Sequence, residues 1–262
     1  MQGSKGKIII AGAGLGGLTA AGCLLIAGYD VEIYEQAPQL GEIGAGIQQS
    51  ANSMHVMNHL GLMDRIADVA VRPPVTQFRI FNTGEVLQEL ALAEMHEKRF
   101  GAPYYQLHRA DFHKILADRV QELKPDAVHL SATAIGFEEA EGKSALLLAD
   151  GSKVWGDLVV GADGIKSAIR RQIAGENKPE YTGDAAWRLT VPTDRLPEGI
   201  MEGKSSIWVG PGKHAVIYFL RRGSLVNCVT AVECDEWTEE SWTERNPWAD
   251  LKADLVGWHD DI

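Results

Sequence analysis

Gly12, Gly14 and Gly17 set out G-x-G-x-x-G directly behind an apolar run, Ile8-Ile9-Ile10. That spacing suits a buried pyrophosphate. The first glycine turns the chain out of the strand, the second lets the backbone approach the phosphates, and the third lets a helix pack closely on the strand. Ala13 and Leu15 lie between and beside the glycines, where backbone N–H groups and the positive end of the helix would face the anion. Glu35 follows at the roughly 20-residue offset of a carboxylate that accepts from ribose hydroxyls, with Gln36 next to it. Strand, glycine loop, helix and acid in register read as a dinucleotide site. A second segment, residues 157–170, brings Asp163 to the end of the apolar strand Leu158-Val159-Val160, between Gly161 and Gly164. Its carboxylate could accept from a ribityl or ribose hydroxyl, or it could cap the following helix, which carries Ser167 and Arg170. The residues leave both readings open.

The elements that must hold these groups can be traced from hydrophobic periodicity. A helix is expected over 15–27, stopped by Gly28, and a strand over 31–34. The glycine-rich loop 41–46 (GEIGAG) is either a plain connection or backbone laid against a flat ligand. Helices are expected over 52–60 and 62–71, and a hairpin over 75–90 turning at Asn82-Thr83-Gly84. Arg109 opens an amphipathic helix whose Phe112, Ile115, Leu116, Val120 and Leu123 share one face, with Pro125 beyond its end. Strands are expected over 128–137, 145–148, 154–155 and 158–160, then over 187–191, 206–209, 214–220 and 225–232. With residues 75–100 this last group could form one antiparallel sheet. A helix is expected to begin at Trp248. Six of the seven tryptophans (Trp187, Trp208, Trp237, Trp242, Trp248, Trp258) fall in this later part.

Composition narrows the function classes. The 262 residues can bury about two domains, and 45% hydrophobic with 23% charged residues is ordinary for a globular chain. A net charge of −11 argues against nucleic acid or an anionic membrane as partner. Residues 8–28 carry no charge, but the glycines clustered at the front would make a weak membrane helix, so a soluble chain is expected. Three cysteines (Cys23, Cys228, Cys234) without metal spacing fit a reduced, cytoplasmic setting, and no metal site is expected. Metalloprotease, serine hydrolase and P-loop motifs are missing from the sequence.

Gly12–Gly17 with Glu35, Arg109 at a helix start, and the D-G segment at Asp163 together resemble the class A FAD-dependent aromatic hydroxylases, the p-hydroxybenzoate-hydroxylase fold. Residues 41–47 (GEIGAGI), 186–192 (AWRLTVP) and 208–218 (WVGPGKHAVIY) are most similar to the branch of salicylate, 3-hydroxybenzoate 6- and 6-hydroxynicotinate 3-monooxygenases. The resemblance implies an α/β fold: a Rossmann-type FAD-binding domain (residues 1–72 and 104–181) and a second, mostly antiparallel β substrate domain (73–103 and 182–262). It implies FAD in extended form, with the pyrophosphate on Gly12–Gly17, the adenosine ribose on Glu35, and Arg109, Asp163 and the Gly46 loop toward the central and flavin regions. NADH or NADPH would reduce the flavin, O2 would add to it, and the resulting hydroperoxide would hydroxylate a phenolic aromatic carboxylate. The partners implied are a small aromatic substrate and O2, with a homodimer compatible.

His214 and Tyr218 match the residues that serve as the base in the hydroxynicotinate branch. Four apart in a strand, they point to one face, which is either the face toward the flavin or that of an amphipathic strand with a surface histidine and a packed tyrosine. A phenol attacks an electrophilic peroxide faster as phenolate, and histidine can take that proton near neutrality, directly or through the tyrosine hydroxyl. Gln48 matches a position that is His near the ring in some relatives, and would contact substrate. His108 and His113 read as structural.

The resemblance also marks a departure. The family carries a third FAD motif of the type L-x-G-D-A-A-H-P, and the sequence ends at Ile262 before one occurs. Gly183-Asp184-Ala185-Ala186 is superficially similar but stands where the substrate sheet is expected. The expectation is a C-terminally truncated hydroxylase, with a truncated, non-catalytic flavin- or nucleotide-binding relative as the alternative.

Overall fold

The structure, a computed structural model, describes residues 4–41, 45–176, 180–197, 199–200, 203–235 and 245–262. In chain order the elements are β1 (Lys7–Ala11), α1 (Leu15–Ile26), β2 (Asp30–Tyr34), β3 (Gly46–Gln49), α2 (Ala51–His59), α3 (Met63–Ala67), β4 (Val75–Ile80) and β5 (Val86–Ala91). Next come α4 (Ala93–Phe100), β6 (Tyr105–His108), α5 (Arg109–Leu123), β7 (Val128–His129), β8 (Ala134–Ala140), β9 (Lys143–Leu148), β10 (Lys153–Gly156) and β11 (Leu158–Gly161). The last are α6 (Ala168–Ala174), β12 (Asp184–Pro192), β13 (Ser205–Gly210), β14 (Lys213–Leu220), β15 (Leu225–Glu233) and α7 (Trp248–Asp254).

The chain divides into two compact units. The first comprises residues 1–42, 59–62 and 112–179, the second 43–58, 63–111 and 180–262. Segments 43–58, 63–72 and 104–111, assigned from the sequence to the nucleotide half, thus cluster with the second unit.

The first unit is built on a parallel sheet in the order β11-β1-β2-β7. Strand β1 reads as an unbroken apolar run because both its faces are covered, and Ile9, Ile10 and Ala11 have no exposed surface. Ile9 and Ala11 pack with Leu146 and Leu148 of β9 and Ile169 of α6. The expected strand 128–137 is in fact two, β7 and β8, in different sheets. Ser131, at φ 56°, breaks it between them.

The second unit carries a six-stranded sheet, β12-β15-β14-β13-β4-β5, and a separate ribbon, β3-β6. All pairings in the large sheet are antiparallel except β13 with β4. Along β14 the residues alternate. Ala215, Ile217 and Phe219 pack with Trp208 and Val226 under Trp258, while His214, Val216 and Tyr218 take the other face. Residues 93–100 do not extend the sheet as expected. Ala93–Phe100 is rich in helix formers and becomes α4, closed by Gly101 at φ 74°.

Candidate active site

The nucleotide part lies in the first unit, where β1 hands over to α1. Gly12 stands at φ 98°, and a β-carbon there would run into the Ala162 carbonyl, 2.8 Å from its carbon. Gly17 meets the Gly12 carbonyl equally closely. These two glycines let the β1–α1 turn close upon itself and upon the end of β11. Gly14 differs: its backbone is ordinary extended chain (φ −70°, ψ −178°), and nothing stands within 4 Å of where its β-carbon would be. The fold therefore does not need glycine at 14. A backbone laid bare beside the start of α1 does need it if a phosphate is to approach.

Ala13 between them is buried. Its N–H donates to Glu35 Oε2 at 2.7 Å, and its carbonyl accepts from His113 Nε2 at 2.8 Å. Glu35 also takes the Ala37 N–H at 2.9 Å on its other oxygen. Leu15 opens α1, and Gln36 is exposed just past β2.

Asp163 resolves toward the capping reading in its protein contacts. Its carboxylate accepts from Ser167 Oγ at 2.5 Å and from the N–H groups of Ala168 (2.7 Å) and Ile169 (3.3 Å). Ser167 in turn accepts the Arg170 N–H, so Asp163 and Ser167 together satisfy the free donors at the start of α6.

The aromatic part lies in the second unit. The Gly46 N–H donates to Asn227 Oδ1 at 2.8 Å, and Arg109 N–H donates to the Ala45 carbonyl at 2.9 Å, fixing α5's first residue to the ribbon. Residues 42–44 of the glycine-rich loop lie outside the described residues. A β-carbon on Gly46 would collide with the Tyr218 ring, 2.6 Å from Cε2 and 2.7 Å from Cζ. Close approach to a protein side chain thus accounts for this glycine. Tyr218 is 4% exposed, and burial, helped by Tyr104, pushes its phenol up to about 12, with Arg188 pulling the other way. Gln48 accepts from the Tyr104 hydroxyl at 2.6 Å.

Strand register arranges the sheet face in rows. Ala186, Ala231, His214 and Val209 form one; Arg188, Val229, Val216 and Ile207 the next; Thr190, Asn227 and Tyr218 the third. His214 and Tyr218 do share the face. At ~3.3 Å per residue they stand about 13 Å apart along β14, too far for a direct hydrogen bond. His214 is exposed and Arg188, in the row between, is exposed too.

The fold adds residues that the sequence did not single out. Gln106 comes from the β3–β6 ribbon and Tyr104 from the residue just before it, a pairing of segments about sixty residues apart that local periodicity does not register. Both amide atoms of Gln106 and Nδ2 of Asn227 are buried with hydrogen-bonding capacity that no group among the described residues uses. His113 was visible as a histidine on the buried face of α5, but its partner lies 100 residues away.

Residues 5–260 match the family described as FAD binding domain. The chain belongs to that FAD-binding family. It is 35% identical over 256 residues to 3-amino-4-hydroxybenzoate 2-monooxygenase PtnB3 of Streptomyces platensis, covering 98% of this chain and 64% of that one. To 6-hydroxynicotinate 3-monooxygenase of Pseudomonas fluorescens it is 32% identical over 257 residues, covering 97% and 66%. Among solved structures, Klebsiella pneumoniae HpxO complexed with FAD and uric acid superposes with a TM-score of 0.84 at 28% identity, covering 97% of this chain and 63% of that one. The chain thus spans a little under two-thirds of the length of these relatives. The family's cofactor is FAD, and the bare backbone at Gly14, the α1 N-terminus and the Glu35 carboxylate fit its pyrophosphate and ribose. No helix among the described residues is long and apolar enough to cross a membrane.

Proposed function

We propose that the chain is the FAD- and substrate-binding portion of a monooxygenase that hydroxylates a phenolic aromatic carboxylate, working in the cytoplasm. The reaction would be substrate plus O2, NAD(P)H and a proton giving hydroxylated product, water and NAD(P)+, with NADH or NADPH as reductant. The observation that carries this reading is the sheet face on which His214, Arg188 and Tyr218 stand in three successive rows. It offers a proton acceptor, a cation and a buried phenol to one planar molecule.

Bound flavin supplies reduction by the nicotinamide and transfer of oxygen. Gly14 and the start of α1 would hold its pyrophosphate, Glu35 would take the ribose, and Asp163, while capping α6, would keep carboxylate lone pairs for a flavin-side hydroxyl; Arg109 and Gly46 are the residues of the second unit assigned to the flavin. Tyr218 stays protonated at neutral pH, so it holds one end of the substrate by a hydrogen bond rather than acting as phenolate. His214, about 13 Å further along β14, takes the proton of a substrate phenol lying at its own end of the face. Arg188 takes the substrate carboxylate, and Gln48 with Tyr104 lines the same site.

The test is flavin retention by absorbance, followed by NAD(P)H oxidation with a panel of hydroxybenzoates and their benzamide analogues. Flavin bands at a stoichiometric level, oxidation and product with the acids, and loss of product in His214→Ala are expected. Retained flavin without substrate-stimulated oxidation would instead make the chain a non-catalytic flavin-binding relative.

A further inference from the structure

We propose that His113 is a positioning residue for the pyrophosphate loop: by holding the Ala13 carbonyl it aims the Gly14 N–H outward, to where a phosphate would bind. The inference rests on the cofactor reading above and assigns a new role within it. A carbonyl can only accept, so the 2.8 Å contact requires the proton on Nε2 of His113. The bond between residues 13 and 14 is trans, as are all peptide bonds described. In a trans peptide the carbonyl and the next N–H point in opposite directions. With the Ala13 carbonyl drawn toward α5, the Gly14 N–H is driven the other way, on the side where the missing β-carbon leaves open space.

The neighbouring peptide plane is fixed independently. Ala13 N–H belongs to the 12–13 peptide and is held by Glu35 at 2.7 Å. Two side chains, 22 and 100 residues away in sequence, thus grip the two peptides that flank Ala13. Neither of Ala13's polar backbone groups has a backbone partner in the turn, where the bonds run from Gly12 N–H to Tyr34 and from Leu18 N–H to Gly14. Without His113 the buried Ala13 carbonyl would lack a partner, and rotation of the 13–14 peptide would relieve it. That rotation turns a carbonyl, instead of an N–H, toward the phosphates. His113 is 4% exposed, and its effect runs through the peptide.

The experiment measures ADP and adenosine binding to the 262-residue chain by ligand-observed NMR, for the unaltered protein, His113→Leu and His113→Gln, with thermal unfolding of each recorded without ligand. The Gln amide can still donate to the carbonyl. ADP affinity should fall at least about tenfold in His113→Leu, about 1.4 kcal/mol, and stay within about threefold in His113→Gln. Adenosine, which carries no phosphate, should change by less than about threefold in both. Should the Leu variant fail to fold, His113→Asn, polar but too short to reach the carbonyl, is read in its place. Unchanged ADP binding in the Leu or Asn variant overturns the inference, as does an equal loss of ADP and adenosine. An unaltered chain that binds neither ADP nor FAD would overturn the cofactor reading first and this inference with it.

Discussion

The ring of Tyr218 occupies the space that a β-carbon on residue 46 would need. Gly46→Ala should therefore destabilise the second unit by about 1–3 kcal/mol, the usual cost of overpacking a filled site. Urea unfolding of Gly46→Ala, Tyr218→Ala and the double variant checks this. The double variant should recover a good part of the loss, and strict additivity would show that the two residues do not compete for space.

Gly12 and Gly14 should separate folding from binding. Gly12→Ala forces a left-handed backbone on alanine and presses on the Ala162 carbonyl, so it should lower stability by at least about 1–3 kcal/mol. Gly14→Ala meets nothing, and stability should stay within about 0.5 kcal/mol, while FAD affinity falls at least tenfold. Thermal unfolding beside flavin titration reads both quantities. Equal behaviour of the two variants would contradict the assignment.

Asp163→Ala removes the acceptor for three donors at the start of α6 and should cost about 1–2 kcal/mol whether or not flavin is present. Asp163→Asn keeps part of the capping and should restore about half of that. If denaturant midpoints without ligand are unchanged in Asp163→Ala, the cap contributes nothing and only a cofactor role remains.

Tyr218 and Tyr104 are both pushed up to about 12, chiefly by burial. A raised folded-state value favours the protonated form, so this stability is fully present below pH ~10, where unfolded tyrosine titrates, and is lost as pH rises toward 12. Unfolding free energy should drop across that alkaline window, and Tyr218→Phe should lessen the drop. Ultraviolet difference titration should show Tyr218 and Tyr104 ionising late, together with Tyr34, whose phenol is raised by burial and by its bond to Glu32; a full complement of phenolate by pH 10.5 would refute it.

The nucleotide half was legible because its signal is local. Three glycines, an apolar strand and Glu35 fall within thirty residues, and each constraint acts on near neighbours in the chain. The large sheet of the second unit could likewise be read from strand alternation. What escaped depends on distant partners. The glycine at 46 has its reason 172 residues later in Tyr218, and Gln106 becomes conspicuous only once β3 pairs with β6. Residues 93–100, expected to join the sheet, form a helix because Ala, Glu, Lys and Met favour one there. His214 with Tyr218 shows the limit of a face argument: period two places them together on one side, and the strand rise keeps them about 13 Å apart.

Tryptophan placement has an optical consequence. Trp155 lies in the first unit, 42% exposed, whereas Trp187, Trp208, Trp248 and Trp258 belong to the second, with Trp208 buried under Arg79 and beside His259. Intrinsic emission is therefore a nearly private reporter of the second unit, and far-ultraviolet dichroism averages both. Melting curves recorded by the two probes on one sample would coincide only if the glycine loop and the tyrosine face come apart in a single step.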